Sequence, residues 1–119
     1  MSNIKEDLLN HLKKQIPGVH VSLAWVNKEN IFPCITIFQV TESREYANEE
    51  AWATVPLMQF DAWSKDSVLE VDTLIDKLEV ALRSFKHPVE FYDKRDLSGE
   101  NVFRTMLQLN IKNYIGAVD

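Results

Sequence analysis

The sequence predicts an α+β fold: one mostly antiparallel sheet of about five strands, with two helices packed on one face, in the order α-β-β-β-α-β-β. Three observations predict it. Two segments carry apolar residues at helical spacing, and five carry period-two alternation or short β-branched runs. The chain has 119 residues, enough for one core and too few for two. Hydrophobic residues at 45% and charged residues at 26% make a globular composition and exclude full disorder.

The first helix is expected over roughly Asn3 to Gln15. Ile4, Leu8, Leu12 and Ile16 recur every four residues with Leu9 beside them. Asn3 can cap it, and Glu6 stands in the capping-box position. Pro17 and Gly18 end it, because proline cannot continue a helix and glycine accepts a left-handed turn. A strand follows, about Val19 to Val26, with Val19, Val21, Leu23 and Trp25 alternating against His20, Ser22 and Ala24. Asn27 to Asn30 is its turn. The next strand, Cys34 to Val40, is apolar on both faces through Ile35 to Phe38 and reads as interior to the sheet. Pro33 opens it, where a missing N–H is tolerated.

Thr41 to Ala53 reads TESREYANEEAWA, with Glu42, Glu45, Glu49 and Glu50 against one Arg44. It has no strand alternation and little helical period, so it is expected to be a long, mobile acidic loop. Tyr46 and Trp52 give that loop two large aromatics to present to a partner. The third strand, about Thr54 to Ser64, alternates Met58, Phe60 and Ala62 against Leu57, Gln59, Asp61 and Trp63, with Pro56 marking an irregular or edge position. The second helix starts at the capping box of Ser67 and Glu70 and keeps one stripe through Val68, Val71, Leu74, Ile75, Leu78, Leu82 and Phe85. Lys86, His87 and Pro88 close it. Its connection back to the sheet is a β-α-β crossover that could make one strand pair parallel. Two strands finish the chain: Val89 to Tyr92, then Val102 to about Tyr114, joined by a turn in which Gly99 offers a tight reversal. In the last strand Arg104, Gln108 and Lys112 share the face opposite Leu107 and Leu109. The final residues, Gly116 to Asp119, are expected to fray.

Charge and motifs exclude more than they assign. Thirteen basic against eighteen acidic side chains leave a net charge of −5, evenly spread over the two halves, so no basic face suits tight nucleic-acid binding. No apolar run approaches the roughly 18 residues of a spanning helix, no membrane-surface helix is evident, and the charged N-terminus lacks a signal peptide's apolar core. A cytoplasmic site of synthesis is therefore expected. The single cysteine, Cys34, excludes an internal disulfide and a cysteine zinc site. It reads as a small packed hydrophobe.

His11, His20 and His87 have no partner at metal-ligand spacing, and His11 reads as solvated. Asp61 is the one acid inside an apolar strand. It could be a buried functional carboxylate, could point to the open sheet face, or could pair with an arginine such as Arg104. Asp72 and Asp76, one turn apart, read as the wet face of the second helix. No glycine-rich phosphate loop is present. No catalytic residue, cofactor or metal site is expected, and the parts of an enzyme are missing.

The stretch VPLMQFDAWSKD, Val55 to Asp66, followed by the helix VLEVDTLIDKLEVAL, resembles the middle of the tail terminator proteins of long-tailed bacteriophages, also called tail completion or head–tail joining proteins. PCITIFQV, Pro33 to Val40, is similar to the family's proline-started strand, and DLSGE followed by FRTMLQLNI is similar to its close. The resemblance covers nearly the whole chain and implies a structural role. Such proteins form a ring, usually of six copies, on the head-proximal end of the tail tube. They end tube polymerisation and meet the head connector, while DNA passes through without sequence-specific binding.

The resemblance further implies three partners: other copies of the chain, the tail tube protein and the head connector or completion protein. It places the chain in the virion tail, assembled in the host cytoplasm. An acidic wall suits a conduit for a polyanion. The candidate interface residues are Glu42, Glu45, Tyr46, Glu49, Glu50 and Trp52 of the acidic segment, with Arg104, Gln108 and Lys112 of the last strand. The alternative is an acidic inhibitor or immunity-type module whose Glu-rich loop caps a basic partner.

Overall fold

A computed structural model describes residues 4–23, 31–47 and 50–114, with the backbone alone for 42–47, 50–54 and 113–114. The order is α1 (Ile4–Gln15), β1 (His20–Ser22), β2 (Cys34–Ala47), β3 (Glu50–Ser64), α2 (Val68–Arg83), β4 (Val89–Asp96), β5 (Phe103–Ile111) and β6 (Asn113–Tyr114). The strands form one sheet in the order β1-β2-β3-β5-β4, with β6 on β3. This is the expected α+β class.

The period-two pattern is expressed as two distinct faces. Ile35 and Ile37 of β2, Met58, Phe60 and Ala62 of β3, and Leu107, Leu109 and Ile111 of β5 are buried in one cluster. Both helices complete it, α1 through Leu8 and Leu12 and α2 through Val71, Leu74, Ile75, Leu78, Ala81 and Leu82. Val68, expected in the stripe of α2, is exposed at its first turn. Ser67 caps α2, its hydroxyl accepting from the Glu70 N–H at 3.1 Å. The Glu70 carboxylate does not return to Ser67 as in a reciprocal box; it accepts from the Ser64 hydroxyl at 2.6 Å and so ties the helix to the end of β3. Gly18 takes the left-handed conformation, φ 87°, that its place after α1 requires. No helix among the described residues is long and apolar enough to cross a membrane.

The largest departure from the sequence reading concerns residues 41–53. Residues 41–47 and 50–53 are strand and not loop: β2 runs through to Ala47 and β3 begins at Glu50, and the two strands pair to Ala47↔Glu50, with bulges at Gln39/Thr41 and Glu45/Tyr46; 48 and 49 lie outside the described residues. The reason the pattern misleads is structural. Alternation is imposed where a strand lies over a core, and β5 accompanies β3 only from Leu57 onward. Beyond that point the ladder is a ribbon, joined by β6 only at Ala53 and Thr54. Over this stretch the described backbone pairs β2 with β3 and adds only β6 at Ala53 and Thr54, and the sequence shows no alternation to mark it.

Pro56 explains a second difference. The last strand is split: Asn110 pairs with Leu57, Asn113 pairs with Thr54, and the ladder skips Val55 and Pro56. The register sets Pro56 opposite Ile111, and Pro56 has no N–H to donate, so the β3 ladder lapses there; the Lys112 N–H bonds on the other side, to the Pro88 carbonyl at 3.0 Å. Among the described residues the sheet thus has six strands, where about five are expected.

The crossover also differs. β5 inserts between β3 and β4, so the pair joined through α2 is parallel but not adjacent, and the parallel neighbours are β1 and β2. β4 extends to Asp96, four residues beyond its expected end. The reversal before β5 is held by the Asp96 carboxylate, which accepts from the Ser98 N–H and hydroxyl, and not by a left-handed Gly99. The helix cap at Asn3, the turn at 27–30, Trp25 and the tail 116–119 lie outside the described residues.

Candidate functional site

The sheet face turned away from the helices is not a bare polar surface. It carries a row of hydrogen bonds and one guanidinium–indole contact across β2, β3 and β5. Gln108 donates to Gln59 Oε1 at 2.9 Å, and Gln59 donates to Asp61 Oδ2 at 3.0 Å. Arg104 Nε donates to Asp61 Oδ1 at 3.0 Å, and the guanidinium lies 4.8 Å from the Trp63 ring centroid. Trp63 Nε1 donates to Thr36 Oγ1 at 2.9 Å and closes the row.

The register explains these contacts. Cross-strand pairing sets Asp61 opposite Met106, Gln59 opposite Gln108 and Trp63 opposite Arg104, so Arg104 reaches diagonally to the carboxylate. Asp61 is 0% exposed and the Arg104 side chain 18%. Burial pushes the Asp61 carboxyl above its ordinary range, while the Gln59 hydrogen bond and the Arg104 charge pull it back. Among the three readings of Asp61, the structure selects the arginine pair on the open sheet face.

This changes the meaning of the candidate residues on the last strand. Arg104 and Gln108 are held by the row, so their polar groups stabilise the sheet before they meet any partner. Arg95 of β4, on the same face opposite Met106, is 68% exposed and bonded to Asp93 at 2.7 Å. It is a cation that the sequence reading missed, because β4 was expected to stop at Tyr92.

The acidic candidates lie elsewhere. Glu42, Glu45 and Tyr46 fall on the distal half of β2, Glu50 and Trp52 on the start of β3, and Glu49 lies outside the described residues. Arg104 stands at the level of Trp63, and Glu50 is thirteen residues away along β3, roughly 40 Å at a strand's rise per residue. The longest dimension of the molecule is 51 Å. The structure therefore gathers the acidic residues on one arm and sets Arg104 at the other end of the sheet, with Lys112 near the root of the arm. The two groups do not form one patch on one copy.

Other chemistry-bearing groups are committed to structure. Cys34 is fully buried and burial pushes its thiol up to about 11, which removes thiolate chemistry near neutral pH. His11 is not solvated as expected. It sits half-buried in the seam between the helices, with Nε2 2.7 Å from the Ala81 carbonyl and 3.2 Å from Ser84 Oγ. The Ser84 hydroxyl also donates to that carbonyl, at 2.8 Å. A nitrogen that donates to a carbonyl cannot at the same time take a proton from serine, so this pair is a helix-end clasp in the arrangement present. No group of three or more His, Cys, Asp or Glu side chains suited to a metal ion occurs among the described residues. Asp72 and Asp76 are exposed.

At the C-terminal end of α2 an open cleft of about 570 Å³ is lined by Arg83, Lys86 and His87 together with Phe85, Pro88 and Phe91. Arg83 stacks over the Phe91 ring at 5.2 Å and Lys86 pairs with Asp7 at 3.1 Å. No family model and no curated protein matches the chain.

Proposed function

We propose that the chain is a structural protein of a phage or prophage tail. In this reading it caps the head-proximal end of the tail tube as a ring, the six-copy ring its resemblance implies, and so ends polymerisation and helps join tail to head. The observation that carries this reading is the separation of an acidic strand arm from the body that bears the sheet. An isolated two-stranded ribbon is marginal in water, so an arm of this kind gains its stability on another surface. An arm on one end and a receiving body on the other make a heterologous contact, and repeated rotation closes such contacts into a ring. The net charge of −5 supports the same reading, since a wall of that sign does not grip passing DNA. The partners in this account are neighbouring copies, the tail tube protein and the head connector.

Deletion of the gene from the phage or prophage that carries it tests the proposal. A cap works by occupying the growing end in place of the next tube subunit. Without it, tails are expected to be overlong or heterogeneous, heads to fill with DNA, and few tails to join heads. Added purified protein is expected to restore joining. Tails of normal length on DNA-filled heads would refute the proposal.

A further inference from the structure

We propose that β4 pairs along its free edge with β4 of a second copy of this chain, antiparallel, so that one sheet runs through two molecules. In that pair Glu90 of each copy stands opposite Arg95 of the other. The proposal goes beyond the ring reading and does not draw on it: a symmetric pair uses the same edge on both copies and closes on itself.

The sheet order β1-β2-β3-β5-β4 leaves β4 with a neighbour on one side only among the described residues. The strand, Val89–Asp96, is mostly exposed. Hydrogen bonds at its two ends fix which way its backbone points. The Leu97 N–H donates to the Arg104 carbonyl at 2.9 Å, and the Pro88 carbonyl accepts from the Lys112 N–H at 3.0 Å. Backbone groups turn to alternate sides along a strand. Backwards from Leu97, those of Arg95 and Asp93 therefore face β5, and those of Asp96 and Lys94 face outward. Forwards from Pro88, those of Glu90 face β5, and those of Val89 and Phe91 face outward. The two ends are out of step by one residue, and the register shift between Phe91 and Asp93, a bulge at Tyr92, takes up the difference.

This spacing selects the occupant. A regular strand turns every second residue toward its neighbour, whereas this edge presents Phe91 and then Lys94. A regular strand in phase with one half is therefore out of phase with the other. A second β4 carries the same interruption. Laid antiparallel, Phe91 faces Lys94 and Val89 faces Asp96, each twice, and every outward residue meets an outward residue. A shift of one or two residues in either direction breaks that match.

The same register matches charge. Directly opposed residues share a face, so Glu90 lies on the open face with Asn110 and Leu57, and Arg95 with Met106 and Asp61. Across the seam Glu90 and Arg95 stand opposite each other on that face, twice. The Arg95 side chain is 68% exposed with its Nε bonded to Asp93, and a guanidinium has further N–H donors for a second carboxylate. Tyr92, 67% exposed, lies at the two-fold axis of the pair. The edge is also guarded: the Asp93 carboxylate accepts from the outward Lys94 N–H at 2.9 Å. Charged groups of this kind keep edges apart. Pairing hands that N–H to the Phe91 carbonyl of the second copy and leaves Asp93 on Arg95, so association is expected only at high concentration.

Amide hydrogen exchange of the full chain, read residue by residue at low and at millimolar concentration, tests the edge. Protection of Val89, Phe91, Lys94 and Asp96 is expected to rise with concentration, while that of Glu90, Asp93 and Arg95 stays unchanged. Charge reversal tests the register. Glu90→Arg alone, or Arg95→Glu alone, sets like charges opposite each other and is expected to weaken association by about tenfold or more in sedimentation equilibrium. A chain carrying both changes, or an equal mixture of the two single variants, is expected to recover it. Thermal melting like that of the unmodified chain shows that each variant is folded, and the exchange pattern needs no variant. A chain that stays monomeric at millimolar concentration, protection without the alternation, or association indifferent to both reversals overturns the proposal. The ring reading stands or falls by the deletion experiment in each case.

Discussion

Arg104→Ala is expected to cost about 3–5 kcal/mol of stability at neutral pH, because it leaves the Asp61 carboxylate buried without its counter-charge. Asp61 is 0% exposed, and the guanidinium that faces it also packs over Trp63. The deficit should depend on pH in a definite direction. Burial already raises the Asp61 carboxyl, against the pull of Gln59 and Arg104. Removing Arg104 removes part of that pull, so the carboxyl in the variant rises further.

A carboxyl raised in the folded state holds its proton more tightly there than in the unfolded chain. Its stabilising contribution is complete below the unfolded value near 3.8 and is lost as pH rises through the folded value. The variant's deficit is therefore largest at neutral pH and shrinks in acid as Asp61 takes up a proton. Urea denaturation from pH 7 down to about pH 4 checks this. Adding Asp61→Asn to Arg104→Ala is expected to recover much of the loss at pH 7. An equal deficit at every pH would mean that the lost stack on Trp63, and not the charge, sets the cost.

Leu78→Ala is the second large effect, expected at about 2–5 kcal/mol. Leu78 is 0% exposed in the layer between α2 and the sheet, so its removal takes away transfer free energy and leaves a cavity. Its neighbour is the control. Glu79 lies on the outer side and pairs with Lys94 at 3.3 Å, and half-exposed pairs of this kind contribute little. Glu79→Ala is expected to change stability by under about 0.5 kcal/mol. Equal losses in the two denaturation curves would place α2 in a different orientation on the sheet.

How much of this was legible in the sequence follows from where a core exists to leave its mark. The stripe of α2 and the alternation of β5 were readable because each segment has one face on the same cluster. Asp61 stood out as an acid in an apolar strand, and Arg104 was nameable as a partner because both occupy the open face of long strands. The arm is not readable as strand, since residues 41–53 lack alternation and their glutamates argue for solvent. The break at Lys112 was invisible for a related reason: it is caused by a proline more than fifty residues away in sequence, across the sheet. The clasp at His11 depends on a helix end contributed from residue 81, and nothing near His11 signals it. In the sequence, Lys86 to Pro88 signals only a helix stop, because the walls of the cleft there come from both sides of Pro88.

The central claim is a place as much as an activity, and immunogold electron microscopy of purified tails tests it most directly. Antibody to this chain is expected to label one end of each tail only, the head-proximal tip of free tails and the neck of joined particles. Gold along the tube, gold at the distal end, or tails without label while the chain co-purifies with a basic partner protein would contradict the account.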